Sequence, residues 1–284
     1  MSSTNPVPDL EAGIQYWATQ PANYDGVLGG FGTGSLPRVD SLGSRRFLLD
    51  LLPELSTVPS PFRSVSVSPS ETRRIRALDV GAGVGRVTSD VLLPLVSDVV
   101  LLEPVESFIN EARSRGKASE SGLEINDSGY RVLWKGIADR SKSVTFFKGS
   151  LQSFDPVEPG IPLDRVGCLP QDGDDDTKSK FDVIWCQWCL GHLNDDELVQ
   201  FLERSKKALR DARSLIVVKE NICREQNAIF DEQDSTFTRS DLAFKNIFRD
   251  AGLKIIQEKI QHGLPEGLYP VKMYALRETS HALQ

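Results

Sequence analysis

From residue 74 onward, short runs of aliphatic and β-branched residues alternate with longer amphipathic segments. This alternation is typical of an α/β fold with a mainly parallel sheet. Five buried strands are predicted, at residues 74–80, 98–103, 144–147, 181–185 and 214–219. Two further strands are predicted at 253–260 and 271–276, with no helical pattern between them. We therefore predict a Rossmann-like α/β fold whose seven-stranded, mostly parallel sheet ends in an antiparallel C-terminal strand pair.

The helices between these strands are marked by capping and breaking residues. Asn194 and Glu197 have the spacing of a capping box, so a helix is predicted to begin there. A later helix over 240–250 is predicted to end at Gly252, in the usual C-terminal manner. After the first strand, a helix is predicted that Pro94 kinks or ends. The apolar face of this helix consists of Val87, Val91, Leu92 and Leu95.

The segments outside this pattern suggest how the chain is organised. Residues 1–73 are expected to form an N-terminal extension that contributes helices and a substrate lid. Residues 74–284 are expected to form the Rossmann-like domain. Two stretches within it, 112–142 and 157–180, are polar and show little periodicity. They are interpreted as surface insertions, partly disordered, because they offer little apolar surface to offset the entropy of ordering.

Composition and charge narrow the class of protein. The chain has 284 residues, of which 39% are hydrophobic and 26% charged, as expected of a globular domain in water. Its net charge of -7 argues against nucleic acid or an anionic membrane as the main partner and is compatible with a cationic substrate. The first residues lack the features of a secretory signal, so we expect the protein in the cytoplasm, with the nucleus as a second compartment.

The four cysteines are too few for a disulfide framework in a chain of this length. Cys186 and Cys189 form a C-x-x-C in a strand-like context, and no second cysteine pair follows. Reduced, buried thiols are the favoured interpretation, and a zinc or redox role is the alternative. We expect no metal site.

A glycine-rich turn is the main chemical signal. Gly81, Gly83 and Gly85 lie where the first strand turns into a helix, and such glycines let the backbone approach a ligand closely. Glu103 ends the next strand, where a carboxylate can accept both hydroxyls of a ribose. Together they predict an adenosine site.

The choice of cofactor depends on the spacing of the glycines and on a nearby acid. The third glycine comes one residue earlier than in the pyrophosphate-binding pattern G-x-G-x-x-G. Asp79 precedes the turn, and its carboxylate suits a ligand with cationic groups better than a pyrophosphate. S-adenosylmethionine, which carries a sulfonium and an amino group, is therefore favoured over a nicotinamide dinucleotide. The alternative for Asp79 is a strand-end residue that bonds its own loop.

Beyond the glycine turn, several motifs from residue 16 to residue 277 resemble one family. The motifs are Tyr16-Trp17, Asp25-Gly-Val-Leu-Gly-Gly30, Leu78-Asp-x-Gly-Ala-Gly-x-Gly-Arg86, Gly149-x-Leu-Gln152, Phe181-Asp-Val-Ile-Trp-x-Gln-Trp-x-x-Gly-His-Leu193, Lys219-Glu-Asn221, Asp231-x-x-Asp-Ser235 and Leu264-Pro-x-x-x-Tyr269. With these the chain resembles the α-N-terminal protein methyltransferases, which act on proteins that begin X-Pro-Lys or X-Pro-Arg. The resemblance implies a class I S-adenosylmethionine-dependent methyltransferase that adds one, two or three methyl groups to a free α-amino group. Monomeric state and ribosomal or chromatin-associated substrate proteins are further expectations.

The resemblance also implies a role for each matching residue. The cofactor would be held by Gly81, Gly83, Arg86, Glu103, Leu151, Gln152 and Gln187, with Arg86 pairing with its carboxylate. The peptide channel would be lined by Trp17, Leu28, Gly29, Trp188, Asn221, Asp231, Asp234, Thr236 and Tyr269. The catalytic residues would be His192, Asp234 and Asn221, with His192 and Asp234 helping to deprotonate the amine.

Departures and alternatives accompany these expectations. Thr236 and Glu220 stand where the family has Ser and Asp, and the residues between Asn221 and Asp231 number one more than in the family. His192 could equally be a satisfied core histidine, and the acids could form an exposed acidic turn. The rival functions are a methyltransferase for a small metabolite and a non-catalytic module that binds protein.

Overall fold

The structure is a computed structural model, and it describes residues 6–56, 73–122, 133–169, 180–225 and 227–279. Within these ranges ten strands form one sheet system. The strands are β1 Arg76–Val80, β2 Asp98–Glu103, β3 Ser143–Lys148, β4 Asp164–Gly167, β5 Val183–Gln187, β6 Leu215–Cys223, β7 Ile229–Asp231, β8 Thr236–Ser240, β9 Leu253–Gln261 and β10 Val271–Glu278. The helices are α1 Leu10–Ala18, α2 Tyr24–Val27, α3 Leu36–Leu51, α4 Glu106–Glu120, α5 Asp195–Lys207 and α6 Asp241–Asp250.

The sheet order confirms the predicted α/β architecture. The main path runs β4-β3-β2-β1-β5-β6-β10-β9. Strands β3, β2, β1, β5 and β6 are mutually parallel, whereas β10 is antiparallel to both β6 and β9. The seven predicted strands are all present, including the antiparallel C-terminal pair. Three short strands were not predicted: β4 at the sheet edge, and the β7–β8 hairpin beyond the end of β6.

The capping signals are confirmed by their hydrogen bonds. Asn194 and Glu197 exchange side chain-to-backbone bonds of 2.9 Å at the start of α5. Ser240 caps α6, and Gly252 after its end has φ +70°. The helix that follows the glycine turn is shorter than predicted: it ends as a single π-helical turn, Thr88–Leu92, just before Pro94.

The interpretation of 112–142 and 157–180 as surface insertions was wrong for part of the described residues, although Val157, Ile161 and Leu163 are exposed as it predicts. Residues 112–120 complete α4, and its Ala112 is fully buried. Trp134 and Ile137 lie in the core, where Trp134 stacks on Phe146 at 6.0 Å. Within the second stretch β4 pairs with β3. Isolated apolar residues show no periodicity, which is why sequence patterns missed them. The remainder, 123–132 and 170–179, lies outside the described residues.

Both faces of the sheet are covered, as the near-continuous hydrophobic runs of its central strands require. Helices α5 and α6 pack on one face, and α3 and α4 pack on the other. Phe47 and Leu48 of α3 are fully buried, so part of the predicted N-terminal extension belongs to the main core. This packing sets α1, α2 and α3 near the carboxyl ends of the parallel strands, where α/β proteins bind ligands.

Candidate active site

Two adjoining cavities lie where the parallel strands end. The inner cavity encloses about 900 Å³, including its mouth, and every predicted cofactor residue lines it. The outer cavity encloses about 1240 Å³, and it is lined by eight of the nine predicted peptide residues. The exception is Asp231, which is exposed and does not line this cavity. Four residues line both cavities and form the wall between them: Trp17, Val27, Trp188 and His192.

The glycine turn shapes the floor of the inner cavity. Gly81 and Gly83 have φ values of +61° and +57°, a conformation that glycine adopts readily and other residues rarely do. A Cβ on Gly81 would lie 2.5 Å from the Cβ of Cys189, so a side chain there would displace the wall. The turn therefore needs glycine for both its conformation and its close packing.

Glu103 holds this turn to the second strand. Its Oε2 accepts the N–H of Gly83 at 2.7 Å, and its Oε1 accepts the N–H of Val105 at 2.8 Å. Burial raises the pKa of Glu103 to about 7. Each carboxylate oxygen can accept a second hydrogen bond, so two acceptor positions remain for ligand hydroxyls. The predicted ribose-binding role is compatible with this geometry.

Asp79 is placed as its alternative interpretation describes. Its Oδ2 accepts the Thr88 hydroxyl at 2.6 Å, which ties the strand end to the following helix. Burial raises the pKa of Asp79 to about 7. The carboxyl also lines the inner cavity. It thus bonds its own loop while contributing an acidic wall to the ligand space.

Arg86 is buried at the inner cavity and already has a protein counter-ion. Its Nη1 donates to Asp40 of α3 at 2.7 Å, and its guanidinium lies 5.4 Å from the ring of Trp188. Gln187 donates its amide N–H to the same carboxylate at 3.0 Å. Asp40 was not among the site residues predicted from the sequence. The available signal was its position at helical spacing with Leu36, Ser44, Phe47 and Leu48 on the buried face of α3.

The wall between the cavities contains an indole–imidazole hydrogen bond. Trp17 Nε1–H donates to His192 Nε2 at 3.2 Å. Burial lowers the pKa of His192 to about 4, so this imidazole is neutral at physiological pH. Because Nε2 accepts a hydrogen bond here, the neutral imidazole carries its ring hydrogen on Nδ1. The histidine is half-buried, has one ring nitrogen hydrogen-bonded and forms part of the site wall.

Trp188, on the opposite side of this wall, has two unusual features. Its φ is +55°, a value that is uncommon for a residue other than glycine and that is frequent at functional sites. Its Nε1 is buried with no hydrogen-bond partner among the described residues. A buried N–H without a partner is costly in free energy, which a ligand acceptor in either cavity would offset.

The segment that carries His192 is held by two buried side chains and one half-buried side chain. Glu220 accepts the N–H groups of Cys189 and Leu190, both at 2.9 Å. Arg239 donates to the carbonyl oxygens of Leu190 at 3.1 Å and Leu193 at 2.5 Å. Gln152 Nε2 donates to the carbonyl of His192 itself at 3.0 Å. The catalytic candidate therefore stands on a rigid support, which sequence motifs alone did not reveal.

Helix α1 covers both cavities. Its Asp9 N–H donates to the hydroxyl of Ser235 at 2.8 Å, and Trp17 packs edge-on against Phe108. Gly13 is the close contact: a Cβ there would lie 2.9 Å from His192 Nδ1 and 3.3 Å from the carbonyl oxygen of Asp234. The helix thus lies against both predicted proton acceptors.

The outer cavity is polar and acidic on one side. Asp234 accepts the hydroxyl of Thr236 at 2.5 Å, and burial together with the charge of Asp231 raises its pKa. Asn221 and Tyr269 line the same cavity, and Tyr269 is 43% exposed at its rim. Because the outer cavity reaches the protein surface, it can admit a chain end and not only a small molecule.

The thiols of the C-x-x-C pair lie in the hydrophobic core. Cys186 and Cys189 are buried, and burial raises the pKa of both thiols well above its ordinary value, which makes them poor nucleophiles and ligands. Over the described ranges, no group of three or more His, Cys, Asp or Glu side chains could hold a metal ion. No helix in the same ranges is long and apolar enough to cross a membrane.

The residues of the inner cavity fit S-adenosylmethionine. A carboxylate with free acceptor positions suits the ribose, and a buried guanidinium suits the amino-acid carboxylate. Phe108 and Val105 add apolar surface for a purine ring. A nicotinamide dinucleotide would instead bring its pyrophosphate close to Asp79 and Glu103.

Comparison with known proteins extends this result to the whole chain. A family model described as AdoMet dependent proline di-methyltransferase matches residues 8–277. Alpha N-terminal protein methyltransferase 1 of Schizosaccharomyces pombe is 35% identical over 263 residues, or 93% of this chain and 93% of that protein. N-terminal Xaa-Pro-Lys N-methyltransferase 1 of Mus musculus is 33% identical over 262 residues, or 92% of each chain.

Solved structures lead to the same conclusion. A SAM-dependent methyltransferase from Leishmania major superposes with a TM-score of 0.64 and 28% identity, covering 94% of this chain and 82% of that one. The match covers most of the chain, including the residues of both cavities, and is not limited to the cofactor half. The chain belongs to the family of AdoMet-dependent proline di-methyltransferases.

Proposed function

We propose that this enzyme transfers methyl groups from S-adenosylmethionine to the free α-amino group of proteins that begin X-Pro-Lys or X-Pro-Arg. The observation that carries the proposal is the joining of the two cavities at Trp17, Trp188 and His192. An amine entering from the surface through the outer cavity meets the inner cavity at this wall. The name of the Schizosaccharomyces pombe relative supports an N-terminal amine as the acceptor, and that of the Mus musculus relative supports an Xaa-Pro-Lys sequence.

The reaction requires an amine with a free lone pair. An ordinary α-amino group has a pKa of about 7.7–8.0, so much of it is protonated near neutral pH. When bound, the cofactor supplies a methyl group on a sulfonium: a C–N bond forms as the C–S bond breaks, and S-adenosylhomocysteine leaves. The protein must therefore orient the amine and accept one proton per methyl transferred.

The residues at the wall can perform these two tasks. His192 is neutral because it is buried, and Asp234, one acidic side of the outer cavity, can attract the ammonium group. The Nε2 lone pair of His192 is engaged by the indole N–H of Trp17. We therefore assign to Asp234 the attraction of the ammonium group and the acceptance of its proton. His192 orients the amine, and Asn221 forms a hydrogen bond with the peptide end.

The other peptide-channel assignments follow from position. Trp17 and Trp188 present rings that can pack on a proline and attract a methylated ammonium, an effect of about 0.5–2 kcal/mol. Leu28 and Gly29 line the outer cavity beside them, and Thr236 and Tyr269 complete its rim. The exposed Asp231 can contact a Lys or Arg side chain only where the third residue leaves the cavity.

The direct test is mass spectrometry of synthetic peptides incubated with enzyme and S-adenosylmethionine. Ser-Pro-Lys and Pro-Pro-Lys peptides should gain up to three and two methyl groups respectively, all on the α-nitrogen. Matched peptides with an acetylated amine, with Ala in second place or with Glu in third place should gain none or react far more slowly. Failure of all free X-Pro-Lys and X-Pro-Arg peptides, with methylation of a small metabolite instead, would overturn the proposal in favour of the rival function.

We also propose a cytoplasmic and nuclear location, a monomeric state, and ribosomal or chromatin-associated proteins as substrates. The division into a lid-bearing extension, 1–73, and a catalytic domain, 74–284, belongs to the same set of proposals. Cell fractionation, light scattering of the purified chain and N-terminal proteomics of a deletion strain test the first three in turn. A tetramer, for example, would contradict the monomeric state without affecting the substrate proposal.

A further inference from the structure

Beneath the inner cavity lies a cluster of buried charges that the sequence analysis did not include. Asp40 of α3 is fully buried, and its two oxygens lie 2.7 Å from Arg86 Nη1 and 2.5 Å from Lys219 Nζ. Gln187 donates to the same carboxylate, and Lys219 also donates to Ser44 at 2.9 Å and Gln261 at 3.2 Å. One carboxylate thus joins three elements, α3, β5 and β6, to the residue that follows the glycine turn.

The charges in this cluster support one another. Burial alone would raise the pKa of Asp40, but the adjacent Arg86 and Lys219 hold it below its ordinary value, so the carboxylate is ionised. Removing one member of such a buried pair leaves the other charge uncompensated, which costs much more than an exposed ion pair contributes. Without Asp40, Arg86 and Lys219 would be two buried cations that repel each other.

The cluster also fixes where Arg86 can point. Its Nη1 is bonded to Asp40, and its guanidinium plane lies over Trp188, which lines both cavities. A guanidinium has five N–H donors in a fixed planar arrangement, so donors remain for a second acceptor. Of the three charged groups in this cluster, Arg86 is the one that lines the inner cavity.

We propose that Asp40 is a positioning residue: it orients the Arg86 guanidinium so that its remaining donors bind the carboxylate of the cofactor's amino-acid portion. Helix α3 of the N-terminal extension therefore takes part in cofactor binding without touching the cofactor. The proposal rests on the assignment of the inner cavity to S-adenosylmethionine. It predicts a selective defect, since only ligands that carry the carboxylate depend on Arg86 being held in place.

Two ligands that differ only in the amino-acid portion separate this role from a purely structural one. S-adenosylhomocysteine has the carboxylate, and 5′-methylthioadenosine lacks the whole amino-acid portion. Titration calorimetry with Asp40→Asn should show at least about tenfold weaker binding of the first, as expected for the loss of a charge-assisted hydrogen bond, and little change for the second. With peptide saturating, KM for S-adenosylmethionine should rise and kcat should change little.

Three further variants make the result decisive. Arg86→Met should show the same selectivity, and adding Asp40→Asn to it should weaken binding no further, because both changes remove one interaction. Ser44→Ala disturbs the Lys219 side of the cluster only and should bind both ligands as the wild type does. If Asp40→Asn does not fold, the double variant Asp40→Asn/Lys219→Gln restores the charge balance while leaving Arg86 without its support, and it should show the same selective loss.

Each outcome has a distinct meaning. Equal weakening of both ligands by Asp40→Asn, or no weakening of either, would refute the positioning role. Additive effects of Asp40→Asn and Arg86→Met would also refute it, because they would show that the two residues act separately. Failure of the wild-type enzyme to bind either ligand would instead refute the cofactor assignment of the inner cavity.

Discussion

The hydrogen bond between Trp17 and His192 gives the most direct test of how helix α1 and the site work together. Trp17→Phe removes the indole N–H that lies 3.2 Å from His192 Nε2 and keeps an aromatic ring beside Phe108. The change leaves a largely buried imidazole nitrogen without its donor. If His192 has to be neutral and oriented to receive the amine, methyl transfer should slow although the fold is kept.

The size of the effect follows from the burial of the two groups. A hydrogen bond of this kind contributes about 0.5–1.5 kcal/mol, and leaving its buried acceptor unsatisfied costs about 1–3 kcal/mol. At about 1.4 kcal/mol for each factor of ten, kcat/KM for a Ser-Pro-Lys peptide should fall by roughly 5- to 100-fold. A donor on Nε2 favours the neutral ring, so its loss should also move the pKa of His192 upward from about 4.

The assay combines peptide kinetics with NMR titration of the His192 ring nitrogens. Gln15→Ala is the matched control, because Gln15 is exposed on the same helix, and it should leave both quantities unchanged. If Trp17→Phe kept kcat/KM within a factor of about two and left the pKa of His192 in place, the bond would have no role in catalysis. Loss of folding, seen as a collapsed melting transition, would show that the bond serves stability instead.

Three other predictions concern the same wall. Asp234→Asn removes the charge on one side of the outer cavity and should lower kcat by at least about tenfold with little change in cofactor affinity. Equal losses in kcat and in cofactor affinity would contradict the assigned role of Asp234 toward the peptide. Gly13→Ala should reduce peptide turnover because the new Cβ would lie 2.9 Å from His192 Nδ1, even though alanine favours a helix more than glycine does. Glu11→Ala, on the exposed face of α1, is the control. A Gly13→Ala enzyme with unimpaired or faster turnover would disprove the close docking of α1. Because the pKa of His192 is about 4 in the folded protein, the unfolded chain binds more protons than the folded chain between pH 4 and 6.5. The contribution of the neutral His192 to stability is therefore complete above pH 6.5 and is lost as the pH falls towards 4. The free energy of unfolding in urea, measured against pH for the wild type and for His192→Gln, should differ by an amount that changes across this range by at most about 3 kcal/mol. A difference that does not change with pH would contradict the assigned burial of His192.

Much of the fold was predictable because it depends on local patterns. The seven main strands are continuous apolar runs, and α5 and α6 begin at side chains that cap their own backbone. The glycine turn was equally local, since its conformations require glycine at Gly81 and Gly83. In each case the physical cause lies within a few residues along the chain.

Where local patterns were weak, the sequence predictions failed. Residues 112–120 were assigned to a polar insertion, although they complete α4. Trp134 and Ile137 are isolated apolar residues in a polar stretch. They are buried because they pack into the core on the face of the sheet that α3 and α4 cover. Strand β4 exists because β3 offers it an edge to pair with, a condition that sequence periodicity does not express.

The site divides in the same way. Sequence motifs identified residues that gather around the two cavities, although the exposed Asp231 does not line the one expected of it. The partners of these residues were decided only by the fold: Arg86 binds Asp40 from α3, and His192 accepts the indole N–H of Trp17 from α1. These contacts join residues 46 and 175 positions apart, so their burial and their pKa values depend on packing of distant elements. The sequence by itself determined which chemical groups the enzyme carries, and tertiary structure decided which of them are charged, paired or free, because burial and partner distance set the energy of each charge.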